Sequence, residues 1–129
     1  MVIDTSAIVA ILRREPGYES LRAAIANDPD PTMSAASAVE LHIVLTRSLG
    51  IPAAVAQGAL PALGIRVVPF DATQMRLARS AHDKYGRGTG HPARLNFGDC
   101  LAYATSIQSG EPLLFVGDDF THTDVTAAR

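Results

Sequence analysis

Four short apolar runs, each separated from the next by helical patterns, constrain this chain more than anything else in it. They are "MVI" leading into Asp4, "TMS" (Thr32–Ser34), "IRVVP" (Ile65–Pro69) and "LLFV" (Leu113–Val116). Between them, Ala7–Arg13 and Tyr18–Asn27 read as helices broken by the Pro16-Gly17 turn. A long helix runs from about Ala36 to Leu49 and is stopped by Gly50; Pro52 opens another that reaches about Leu63. Asp71 or Thr73 caps a helix ending near Tyr85, Gly86–Leu95 is a loop, Asn96–Ser109 is a helix, and a short tail follows Val116. Strands without polar alternation, each followed by helices, predict an α/β fold: a parallel sheet covered on both faces. At 129 residues the chain is expected to form one domain, 1–129.

Ligands of such sheets collect beyond the carboxyl ends of the strands. Asp4 stands there after the first strand, and Asp118 and Asp119 after the last. Two more acids open helices: Glu40 in "SAVEL" and Asp99 in "NFGDC". Each has a purely structural explanation. Ser37-x-x-Glu40 and Asn96-x-x-Asp99 resemble capping boxes, Asp4 can cap the first helix, and Asp118-Asp119 can form a turn. Jointly they place carboxylates on one edge of the sheet. Two carboxylates about 4 Å apart repel by roughly 4 kcal/mol at an effective dielectric of 20. A cluster must therefore be partly protonated or neutralised by a cation, and hard Mg²⁺ or Mn²⁺ prefers such oxygen ligands.

Composition narrows the partners. Ten of the eleven basic residues are arginine, Lys84 is the sole lysine, and the formal net charge is −2. There is no polybasic arm for gripping nucleic acid, and with no Trp and 5% aromatics, stacking platforms are few. Cys100 is the only cysteine and reads as a small buried hydrophobe, not a nucleophile. His42, His82, His91 and His122 lack ligand spacing, which argues against zinc. No run approaches a membrane span and no signal segment opens the chain, so a cytoplasmic protein without membrane attachment is expected.

"MVIDTSAIVAIL", "SAASAVEL", "LNFGDCLAYATS" and "PLLFVGDDFTHTDV" together resemble the PIN-domain ribonucleases, and among them the VapC toxins of bacterial toxin–antitoxin pairs. The likeness spans the chain, with "NFGDCLAYA" and "GDDFTHTD" its most specific parts. It implies a three-layer α/β/α fold around a parallel sheet of four to five strands. It also implies an Mg²⁺- or Mn²⁺-dependent endoribonuclease acting on tRNA or rRNA, a homodimer, and inhibition by a VapB-like antitoxin. The family's acidic quartet falls on Asp4, Glu40, Asp99 and one acid of "GDDF", with Asp119 favoured over Asp118. Asp4 and Asp99 would be direct metal ligands. Ser6 matches a small hydroxyl beside the metal, though an ordinary capping hydroxyl explains it equally well.

Arg87, His91 and Arg94 lie on the glycine-rich "GRGTGHPAR" segment just before Asp99. It is either a solvated connection or a loop that grasps RNA and orders on binding, with Arg87 and Arg94 as its contacts. Two rival classes share an acidic pocket. A phosphoacceptor receiver domain requires a lysine after a late strand, whereas Lys84 falls in a helix; a haloacid-dehalogenase-like phosphatase wants Asp at the position of Ser6. A non-catalytic partner-binding module is the third alternative.

Overall fold

The computed structural model describes all 129 residues. Strand β1 (Val2–Ile3) leads to helices α1 (Thr5–Leu12) and α2 (Tyr18–Asn27). Strand β2 (Thr32–Ser34) leads to α3 (Ala35–Ile43) and two single-turn helices, α4 (Ala53–Ala56) and α5 (Ala59–Ala62). Strand β3 (Arg66–Val68) precedes α6 (Ala72–Tyr85) and α7 (Phe97–Ser109), and β4 (Leu113–Leu114) closes the order. The four strands are parallel in the order β3-β2-β1-β4, with Val2 beside both Thr32 and Leu113. A parallel bridge between Leu113 and Ala127 extends the sheet by one residue pair beyond β4. No helix is long and apolar enough to cross a membrane.

Strand alternation splits the core in two. Ile3, Met33 and Leu114 face α1 to α5, while Val2 and Leu113 face α6, α7 and Phe120. All five are at most 1% exposed, so both faces of β1 and β4 are sealed. This is the expected α/β/α sandwich. Its winding also locates the site. From β1 to β2 to β3 the chain steps one way and lays helices on one face; returning to β4 it steps the other way and covers the opposite face. Right-handed crossovers require that exchange. The direction reverses between β1 and β4, and the crevice beyond their carboxyl ends is where such folds bind ligands.

Local departures from the sequence reading have physical causes. Helix α1 starts at Thr5 because Asp4 accepts the Ser6 amide and caps it. The long third helix is α only to Ile43 and then widens into a π turn at Val44–Ser48, where Thr46 Oγ1 donates to the His42 carbonyl. The helix expected from Pro52 to Leu63 is two separate turns, broken at Gly58 and carrying Pro61, which has no amide to donate. Strand β4 stops at Leu114 because the Val116 amide turns away to Ser6 Oγ. Between α6 and α7 the loop is already built. Gly86 bridges Leu95, Thr89 Oγ1 donates to the Gly86 carbonyl, and His91 Nδ1 accepts the Ala93 amide. Its turns are satisfied within the chain, and Ala93 and Leu95 anchor it at 0% exposure.

Ile3 touches nothing but core, so Ile3→Ala should destabilise by about 2–5 kcal/mol with the same native secondary structure. Urea unfolding followed by circular dichroism measures it.

Candidate active site

Each acid reaches the crevice by a different local device. Asp4 is the last residue before α1. Its amide donates to the Leu114 carbonyl at 2.9 Å, which pins it to β4, and its Oδ2 caps α1. The Ser6 hydroxyl donates to the same Oδ2 and accepts the Val116 amide at 3.0 Å. Ser6 therefore ties the Asp4 carboxylate to the segment after β4 that carries the last acid. Asp99 caps α7 reciprocally with Asn96: Asp99 N donates to Asn96 Oδ1 and Asn96 N to Asp99 Oδ2, both at 2.8 Å. The structural reading of Asp99 is thus true, and its placement in the crevice is true as well.

Glu40 differs. The N-cap of α3 is Ser34, whose Oγ accepts the Ser37 amide at 3.0 Å, so the Ser37–Glu40 capping box does not form. Ser37 is already the third helical residue, and Glu40 stands nearly a turn deeper. Its carboxylate instead lies against Gly98 at the start of α7. A Cβ on Gly98 would overlap Glu40 Oε2 and come within 2.8 Å of Oε1. A carboxylate held at a helix start also faces that helix's positive end.

Charge couples these groups. Burial raises the Asp4 pKa, opposed by the Ser6 hydrogen bonds and reinforced by Asp119. Burial raises Glu40 too, with Asp4 adding to it. Asp99 is pushed up to about 7, first by burial and then by Asp4, Asp119 and Glu40. Asp119, exposed at the start of a 3-10 turn (Asp119–His122), acts on both buried aspartates, whereas Asp118 contributes to neither. Buried Phe120 holds that turn against Phe115, ring centroids 5.0 Å apart.

With the side chains as they lie, no three of them stand in the geometry to grip one ion. Asp4 accepts the Ser6 amide and Asp99 the Asn96 amide, so one oxygen of each is engaged at a helix start. The donor set nevertheless fits a hard divalent cation, being all oxygen. Thr5 is buried beside this set, and its hydroxyl hydrogen-bonds the Glu40 carboxylate and opposes the rise in its pKa. Thr5 and Gly98 are pocket residues that sequence reading passed over. Thr5 was hidden in "DTS", and Gly98 in "NFGDC" matters only because α3 crosses over it.

The remaining candidates fall outside this cluster. Arg87 and Arg94 are exposed; Arg87 Nε donates to the Arg94 carbonyl at 3.3 Å, and Arg94 takes a left-handed φ of 50°. Cys100 is buried, and burial followed by the neighbouring Asp99 charge pushes its thiol up to about 11, so it is a core residue and no nucleophile. Lys84 lies on α6 with Nζ 4.7 Å from the centre of the Tyr85 ring, which removes the lysine a receiver site would need.

A doubly wound sheet with oxygen donors gathered where its winding reverses defines an enzyme class built around an acidic pocket. The PIN-domain family model matches residues 1–125, and the chain belongs to that family. It is 48% identical over 130 residues to ribonuclease VapC of Mycolicibacterium smegmatis, covering 100% of both chains. It is 47% identical over 129 residues to ribonuclease VapC42 of Mycobacterium tuberculosis, covering 99% of this chain and 98% of that one. Among solved structures, VapC20 of Mycobacterium tuberculosis, a sarcin-ricin loop cleaving toxin, superposes with a TM-score of 0.73 at 20% identity over 97% of this chain and 95% of that one. A toxin–antitoxin complex from Klebsiella pneumoniae gives 0.70 at 14% identity, covering 99% and 97%. These two structures show the same fold. Family membership displaces the receiver and phosphatase readings.

Two predictions follow from the geometry. Because the folded pKa of Asp99 lies near 7 and its ordinary value is 3.8, the native state binds the extra proton between those values. Metal-free protein should therefore lose stability as pH rises from about 4 to 7, on the order of 2–4 kcal/mol from this group. Asp99→Asn, which can keep the cap, should flatten that slope in thermal melts run with EDTA. Gly98→Ala should keep or slightly raise the melting temperature, since alanine favours a helix by up to about 1 kcal/mol. It must push the Glu40 carboxylate aside, so nuclease assays should show a loss of at least about tenfold.

Proposed function

We propose that this protein is a divalent-cation-dependent endoribonuclease of the VapC type, acting in the cytoplasm as the toxin of a toxin–antitoxin pair. Its substrate would be an RNA of the tRNA or rRNA class, its inhibitor a VapB-like antitoxin and its working form a homodimer. The observation that carries the reading is the gathering of Asp4, Glu40 and Asp99 in one crevice, where burial raises all three carboxyls, Asp4 adds to Glu40, and Asp4 and Glu40 add to Asp99. Buried anions that destabilise one another are tolerable in an RNA enzyme only if binding a cation is part of the work.

Asp4 and Asp99 would hold Mg²⁺ or Mn²⁺, with Asp119 completing the site from its exposed side and Asp118 left in solvent. The bound ion supplies Lewis acidity and neutralises charge on the phosphodiester. Glu40, half-buried with a raised pKa, is suited to take the proton of the attacking water at a carboxylate oxygen. Ser6 keeps Asp4 aimed by holding one oxygen, which leaves the other for the ion.

Purified protein should cut tRNA or rRNA fragments with Mg²⁺ or Mn²⁺ and stop in EDTA. Asp4→Asn and Asp99→Asn should each lose at least about a hundredfold in rate while remaining folded. The parent's melting temperature should rise with Mn²⁺, and much less so in these variants. Full cleavage by Asp99→Asn in saturating EDTA would refute the reading.

A further inference from the structure

A groove of about 880 Å³ runs between α6 and the start of α7, beside the crevice but outside it. Its walls include Phe70, Met75, Arg79, His82, Arg87 and Phe97. Phe97 is 77% exposed, the most exposed large apolar side chain of the protein, and stands two residues before Asp99. A phenyl ring left in water at that point adds nothing to the core.

The charge around it is just as uneven. The chain is net negative, yet five of its eleven Lys and Arg residues and only one of its thirteen acids lie between positions 76 and 94. Arg79 and Arg87 form no ion pair. The one acid there, Asp83, has only His82 within reach, at 4.0 Å. An apolar slot with an open aromatic face, rimmed by unpaired guanidinium groups, is complementary to a nucleobase with phosphates on either side. An apolar protein segment would leave those cations unmatched.

We infer that this groove is a base-binding subsite for single-stranded RNA, in which Phe97 stacks on an unpaired base and Arg79 and Arg87 take the adjoining phosphates. The subsite rests on the ribonuclease reading only for its purpose: it would hold the nucleotide next to the phosphate presented to the acids. It supplies the stacking surface and the positive charge that the composition seemed to withhold. Because stacking accepts any base, it adds affinity and register more than sequence choice.

The protein lacks tryptophan, so Phe97→Trp introduces a single indole at the exposed rim. In EDTA, where no cleavage occurs, a short oligoadenylate should quench that indole, and the same sugar-phosphate chain without bases should not. By fluorescence anisotropy of labelled oligoadenylate, Phe97→Ala should bind about ten- to a hundredfold more weakly. The Arg79→Ala, Arg87→Ala double variant should lower the slope of log affinity against log salt by about 1.4. Tight binding of the oligonucleotide with unquenched indole and unchanged affinity in Phe97→Ala would overturn the subsite while leaving nuclease activity intact. Loss of self-association in Phe97→Ala, seen by sedimentation, with RNA affinity unchanged would overturn it in favour of contact between copies. Quenching of the Phe97→Trp indole by oligoadenylate, with a parent protein that cuts no RNA, would support the subsite and count against the nuclease reading alone.

Discussion

Carboxylates of like charge, buried where the winding of the sheet reverses, are the constraint on which the rest of this structure turns. Burial desolvates each of them and raises its pKa, Asp4 adds to Glu40, and Asp4, Asp119 and Glu40 add to Asp99. Asp4 and Asp99 accept amides at their own helix starts, so the acids of the crevice also build the caps of α1 and α7.

The neighbours of the acids are shaped by the same need. Ser6 joins the Asp4 carboxylate to the backbone leaving β4, so the first and last strands report to one another at the crevice. Gly98 has no side chain because the Glu40 carboxylate occupies that space. Phe120 fixes the turn that brings Asp119 into range while Asp118 stays outside. The edge opposite the crevice has the reverse character: its charges are spent on each other, the Met1 amino group on Asp28 and Arg66 on Asp30. Unspent cations are found instead along α6 and its following loop, flanking the acids, which suits a polyanion that must approach a negative pocket.

Much was legible from the chain because local rules govern it. The apolar runs and their helical spacers specify a parallel α/β sheet through periodicity and strand polarity, and β2, α2 and α7 fell within a residue of their expected limits. Asn96 and Asp99 form the capping box their spacing announces. Helix breaks at Gly58 and the π turn after Ile43 were less visible, because a single glycine or a slight widening leaves the apolar period intact.

The sequence by itself determined which residues are acidic, which elements carry them and that those elements end on one edge, since strand direction and capping act over a few residues. Only the tertiary structure decided that Glu40 is no cap, that Gly98 is its seat, that Asp119 and not Asp118 acts on the buried aspartates, and that Phe97 stands open beside arginines without ion pairs. Each of these depends on contacts between segments far apart in the chain, and such contacts are set by how whole layers pack.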